Sequence, residues 1–360
     1  MNLLLSQLKY PILLSPMLGI VTPGMVADIS NAGGLGGLPL GGLSMDVARK
    51  LIRETKELTN SIFAVNLFVN DEPDLKSNET AIEHMKNFIA GIFKEKNWVE
   101  KNDFQYSFYP YQDLIDIIIE EEVKVVSFTF GIPDFESIHK LKNKGISMIG
   151  VATCAEEAIL LENSGMDMVV AQGIEAGGHR ASFIQGELPE IGLFSLIPQM
   201  VDAIKIPVIA AGGIYDGRTM SAAFHLGASA VQIGSHFIHA TDSLANNHYR
   251  EILKNSADTS TMLTKSFTGR WARGFRNEFM KRTAGMNIPE YPIQNILTKG
   301  LRAQSKEHGD YQYASLWAGQ NARFGNKKST LEIMNELVRQ YEQIKIEELQ
   351  NFSHSVNENK

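Results

Sequence analysis

Three short glycine-containing segments hold the residue types best suited to chemistry. Pro207-Val208-Ile209-Ala210-Ala211 runs as an apolar stretch straight into Gly212-Gly213, and Ala230-Val231 runs into Gln232-Ile233-Gly234-Ser235. Backbone N–H groups with no Cβ in front of them can hold an anion such as a phosphate. The third segment is Gln172-Gly173-Ile174-Glu175-Ala176-Gly177-Gly178-His179-Arg180. Gly177 and Gly178 give His179 backbone freedom, and its imidazole can hydrogen-bond an anion or exchange a proton near neutral pH. His179 is the expected catalytic residue; the bland alternative is a surface histidine in a tight turn.

Asn66 and Gln172 are amides at the ends of apolar strands. They suit the edge of a heteroaromatic ring, or else merely cap the strands. Pro16 and Met17 close the first strand, where the turned backbone could lie against a flat ring or Met17 could simply enter the core. Arg270 and Arg273 could neutralise an anion or stay on the surface. His225 reads as an ordinary helix residue and Cys154 as structural. No histidines or carboxylates show metal-ligand spacing, so no metal is expected, and no Gly-Lys-Ser/Thr loop suggests a nucleoside triphosphate.

The elements that must position these residues are eight strand-like runs: Ile12-Ser15, Leu35-Leu40, Ile62-Phe68, Val123-Phe130, Ile146-Val151, Met168-Gln172, Val208-Ala211 and Val231-Gly234. Several are continuous apolar runs, as parallel strands buried on both faces require. Helical segments separate most of them. Thr22-Pro23 opens one, Thr153-Cys154-Ala155-Glu156 reads as a capping box opening another, and Asp216 caps the helix that Gly227 stops. Strand and helix alternating eight times predicts an α/β (β/α)8 TIM barrel ahead of a doubly wound sheet. In such barrels a cofactor phosphate commonly sits at the loops after strands 7 and 8, where Gly212-Gly213 and Gly234-Ser235 fall.

Two stretches exceed the repeat: a helical insertion after strand 3 at about 69–122, with the aromatic run Phe104–Tyr111, and a C-terminal helical extension. The expected division is a cofactor-binding barrel over 1–240 and an extension over 241–350 that contributes to the active site and packs on the barrel. Ser329 with Glu332 caps a final helix, and Asn351–Lys360 reads as a frayed tail. A net charge of −7, from 34 basic and 41 acidic residues, gives no electrostatic footprint for nucleic acid. No apolar run has the length of a membrane span, Met1–Tyr10 lacks a signal-peptide pattern, and the single cysteine suits a reducing compartment. A cytoplasmic enzyme is expected, and a homodimer is compatible with the chain.

Together these segments resemble the nitronate monooxygenase family, FMN-dependent TIM-barrel flavoproteins. The resemblance runs from Ile12-Leu13-Leu14-Ser15-Pro16-Met17 to Leu316-Trp317-Ala318-Gly319-Gln320. Its most specific pieces are the Gln172–Arg180 segment, the Gly212-Gly213 and Gln232–Ser235 pair, and the stretch from Gly269-Arg270 to Arg276-Asn277. It implies FMN bound at Asn66, Gln172, Gly177, Gly213 and Gln232, Ile233, Gly234 and Ser235, with Pro16, Met17, Gly178 and Gly212 beside it and His179 as the active-site histidine. Ala181 stands where a glycine commonly follows His-Arg, and Ser235 where threonine is common; serine keeps the hydroxyl. The implied reaction oxidises an alkyl nitronate, such as propionate 3-nitronate, with O2 to a carbonyl compound and nitrite.

A rival within the same fold is an FMN-dependent NAD(P)H reductase of the enoyl-acyl-carrier-protein reductase or quinone reductase type. The inosine monophosphate dehydrogenase type needs a cysteine after strand 6, whereas Cys154 follows strand 5. A non-enzymatic barrel binding a phosphorylated ligand is the reading from a different class.

Overall fold

The computed structural model describes residues 4–99 and 105–358. Eight parallel strands form the barrel: β1 (Ile12–Leu14), β2 (Gly36–Pro39), β3 (Phe63–Phe68), β4 (Val125–Thr129), β5 (Ser147–Ala152) and β6 (Met168–Gln172), then, after the short β7 (Gly178–His179), β8 (Val208–Ala211) and β9 (Ala230–Ile233). Their order is β1-β9-β8-β6-β5-β4-β3-β2, and a parallel bridge from Leu13 to Leu35 closes the ring. This is the TIM barrel that the strand count predicts, with each strand end displaced by no more than two residues.

The burial pattern explains why the strands lack alternation. Leu13, Leu35, Ala64, Val125, Ile149, Met168, Ile209 and Ala230 fill the barrel interior, with Leu4 among them, while Leu14, Leu38, Val65, Val126, Val169 and Val231 pack outward against the helices. Both faces of each strand are therefore apolar. Thr22 accepts from the Met25 N–H and opens the helix Pro23–Asn31. Asp216 and Thr219 form a reciprocal cap on Gly217–His225. The cap expected at Thr153–Glu156 is displaced by one position. Cys154 makes no side-chain cap bond, and the Glu157 carboxylate receives the Thr153 N–H and hydroxyl instead.

The insertion and the extension meet. The helix Glu79–Lys96 buries Met85, Ile89 and Phe93 against Phe267, Phe279, Ile293 and Leu301, forming a second, smaller core. Phe104 lies outside the described residues; Tyr106 joins this second core and Tyr111 donates its hydroxyl to Asp134. The last helix, Thr330–Glu358, lies against Pro23–Asn31 and Gly217–His225, the helices beside the first and last barrel strands. It takes the place of the eighth helix of the ring, so the extension is spliced in between strand 8 and its helix. Ser329 and Glu332 cap it reciprocally. The helix continues through Glu358 where a frayed tail is expected from Asn351; Asn359 and Lys360 lie outside the described residues.

Candidate active site

The segment leaving β6 does not stay a loop. Gly178 and His179 form β7, which pairs with β11 (Ala272–Phe275) so that His179 faces Ala272 and Gly178 faces Arg273; β11 pairs in turn with β10 (Thr261–Thr264). Gln172 holds the β7 segment from the barrel side. Its Nε2 donates to the His179 carbonyl at 2.9 Å and its Oε1 accepts from the Ala181 N–H at 3.0 Å. Arg180, almost fully buried, donates to the carbonyls of Gln172, Gly173 and Pro189. Arg273 donates to the carbonyl of Ile174, bracing the same segment. The histidine is thus held by a three-stranded sheet and two buried guanidinium groups.

Around its imidazole stand four aromatic rings: Phe130 at 5.5 Å, Trp317 at 5.7 Å, Tyr291 at 6.0 Å and Phe68 at 6.3 Å between centroids. Nε2 lies 2.9 Å from the Thr268 hydroxyl. Arg270 lies over the Phe130 ring at 4.1 Å and donates to the carbonyls of Ser182 and Phe130. Burial, with the positive charges of Arg270 and Arg302 adding to it, pushes the His179 pKa down to about 3. The imidazole is neutral throughout the physiological range. Burial likewise lowers Arg302 to about 10 and raises Tyr291 to about 12. A neutral base, apolar walls and two cations form a site suited to a small anion or a polarised neutral molecule.

The expected phosphate loops lie together at the same end of the barrel. Gly212 and Gly213 both have positive φ, at 123° and 68°. Among the described residues no acceptor takes the N–H groups of Gly212, Gly213, Gly234 or Ser235. A strap from the extension joins these loops. The Gly319 N–H donates to Ser235 Oγ at 2.9 Å, Asn321 Nδ2 donates to the Gly213 carbonyl at 2.7 Å, and the Gln320 N–H donates to the Glu175 carbonyl at 3.0 Å. A Cβ on Gly177 would stand 2.5 Å from the Gly319 nitrogen, so the close approach requires glycine there. Unpaired N–H donors on two adjoining strand ends fit a phosphate.

The other expected residues divide. Met17 sits beside Gly234, with its sulfur 3.6 Å from the place a Cβ would occupy, and Pro16 flanks Gly37. Gln232 is on β9 opposite Leu13, next to the core residue Ile233. Asn66 is buried, and its Nδ2 is taken by Ser127 and Thr129 across the neighbouring strand, which leaves Oδ1 as its open polar atom. His225 bonds back to its own helix at Ser221, and burial raises the Cys154 thiol pKa. Phe68, Phe130, Thr268, Tyr291, Arg302, Trp317 and the strap were not among the expected site residues. For Phe68 and Phe130 a signal existed: both are aromatic residues at or just past strand ends on the side where Gln172 and Gly212 lie. Among the described residues no group of histidine, cysteine, aspartate and glutamate has metal-binding geometry, and no helix is long and apolar enough to cross a membrane.

The chain is similar along most of its length to known proteins. A family model described as nitronate monooxygenase matches residues 2–340. A probable nitronate monooxygenase of Staphylococcus saprophyticus subsp. saprophyticus is 43% identical over 345 residues, covering 94% of this chain and 97% of its own length. One from Staphylococcus aureus is 40% identical over 346 residues, covering 94% and 96%. Among solved structures, a nitroalkane oxidase from Streptomyces ansochromogenes superposes with a TM-score of 0.88 at 33% identity, covering 95% of this chain and 99% of that one. FabK from Thermotoga maritima superposes at 0.74 with 29% identity, covering 97% of both chains. With a family model matched along nearly its whole length and relatives this similar end to end, the chain belongs to the nitronate monooxygenase family and is an oxidoreductase.

Proposed function

We propose that this protein is an FMN-dependent nitronate monooxygenase that oxidises small alkyl nitronates, such as propionate 3-nitronate, with O2 to a carbonyl compound and nitrite. The observation that carries this reading is the neutral His179, ringed by Phe68, Phe130, Tyr291 and Trp317 and flanked by Arg270 and Arg302. Two guanidinium groups that make no ion pair among the described residues favour an anionic substrate, and the aromatic walls limit its size and exclude water. The free N–H groups of Gly212, Gly213, Gly234 and Ser235 suit the FMN phosphate, with Met17 beside Gly234 and Gly177 packed against the strap at Gly319. Bound there, FMN would supply the electron-transfer chemistry; the protein positions the anion and sets the charge around it.

The similarity to FabK keeps the reductase reading in view. Anaerobic addition of propionate 3-nitronate and of NADH to separate samples of the flavin-loaded protein discriminates the two. A change in the flavin spectrum with the nitronate, and none with NADH, supports the monooxygenase. Bleaching by NADH alone moves the chain to the reductases, and failure to take up FMN on reconstitution sinks the cofactor assignment. His179→Ala should retain FMN and lose roughly tenfold or more in kcat/KM for the nitronate.

A further inference from the structure

Phe130 has a φ of 83°, a left-handed backbone that suits glycine and is costly for a bulky side chain. The residue stands just past β4, is 3% exposed, and packs its ring against Phe68 at 4.7 Å. Such strain persists only where the surroundings hold it. The contact that stands out is with Arg270. Its guanidinium carbon lies 4.1 Å from the centre of the Phe130 ring, and its Nη2 donates to the Phe130 carbonyl at 3.4 Å. One residue therefore offers one guanidinium both a π face and a carbonyl, and the left-handed turn is the backbone in which both reach it. The Ser182 carbonyl takes the same Nη2 at 3.0 Å. Arg270 Nε and Nη1 have no hydrogen-bond partner among the described residues, and neither is sealed off by packing.

We propose that Phe130 is a positioning residue that clamps Arg270 through its ring face and its carbonyl, leaving Nε and Nη1 as fixed donors for a small oxyanion. A guanidinium stacks on an aromatic face because the negative face of the ring attracts its charge. A loose arginine side chain loses rotamer freedom when an anion binds it; a clamped one has already lost it. The clamp therefore acts on anion affinity, and the backbone strain at Phe130 is the cost of setting Arg270 in advance. Naming a nitronate as the anion rests on the function proposed above; the clamp itself does not.

The test replaces Phe130 in the flavin-loaded protein by mono-, di- and trifluorophenylalanine, which weaken the ring's negative face while nearly keeping its shape, and by leucine as Phe130→Leu. KM for ethylnitronate should rise step by step along the fluorine series, to about tenfold at the trifluoro ring, with kcat changed by less than about threefold. The Kd of nitrite, read by calorimetry, should rise in parallel, and Phe130→Leu should lose at least as much as the trifluoro ring. Values that stay flat along the series overturn the proposal, because the ring then only packs. Falling values also overturn it, since the ring would then screen the guanidinium rather than hold it. So does a fall in kcat as large as the rise in KM, which marks general damage to the site. A graded rise in nitrite Kd in a protein that turns over no nitronate upholds the clamp and defeats the nitronate reading instead. A protein that neither binds nitrite nor turns over ethylnitronate defeats both.

Discussion

The Gly319 N–H donates to Ser235 Oγ across 84 positions of sequence, tying the loop after the last barrel strand to the strap that leads into the final helix. Ser235 accepts this bond, so its own hydroxyl hydrogen remains for another acceptor. Ser235→Ala removes both the donor and the anchor of the strap. The expected result is FMN affinity weakened by about tenfold to a hundredfold, the worth of one hydrogen bond to a charged group, with Ser235→Thr near wild type. A fluorescence titration of flavin-free protein measures it.

Gly213 has a φ of 68°, and a Cβ there would meet only ordinary contacts, at 3.6 Å from Asn321 Nδ2 and from the Glu175 Cβ. Backbone conformation rather than space makes this position glycine. Gly213→Val, β-branched in a left-handed conformation, should shift the loop and weaken FMN binding more than Gly213→Asn, which tolerates that conformation better. Equal flavin occupancy in the two purified variants would contradict this.

His179 is neutral in the fold, with a pKa pushed down to about 3, against an ordinary value of 6.5. Between those values the unfolded chain binds a proton that the folded one does not, so stability falls as pH drops through this window. His236 and His239, also lowered by burial, act in the same direction. Without an anionic ligand, urea unfolding should show a loss of stability from about pH 7 to about pH 5, smaller in His179→Gln but not abolished. An unchanged difference in that variant would mean that His179 carries its proton inside the fold.

The barrel was legible because strands buried on both faces, such as Val208–Ala211 and Met168–Gln172, leave continuous apolar runs with glycine or polar residues at their ends. The helix caps at Thr22, Asp216 and Ser329 are local and could be read locally. β7 could not: two residues carry no periodicity, and its partner Ala272 lies far along the chain. Gln172 shows the same limit. Its type suggested a ring-facing amide or a strand cap, and only the fold shows its two ends bonded to the backbone of His179 and Ala181. Tyr291 and Trp317 reach His179 only because the insertion and the extension share a core, a relationship with no local signature.

Glu157 offers the largest expected stability effect. It is fully buried and accepts from the Thr153 N–H and hydroxyl through one oxygen, and from the Ser182 hydroxyl and the Phe183 and Ile184 N–H groups through the other. The carboxylate therefore pins the segment after Arg180 to the end of β5, and Ser182 in turn accepts from Arg270 beside His179. Glu157→Ala strands these donors away from water, and leaving even one or two unsatisfied should cost more than about 2 kcal/mol. Glu157→Gln keeps the shape and acceptor oxygen on one side but turns donors toward donors on the other, so it should fall between. Thermal unfolding of the three proteins orders them. Because the loosened segment carries Arg270's partner, the alanine variant should also lose affinity for the nitronate, read as a rise in KM larger than the fall in kcat. Wild-type stability in Glu157→Ala would show that the segment is held by β7 and β11 alone.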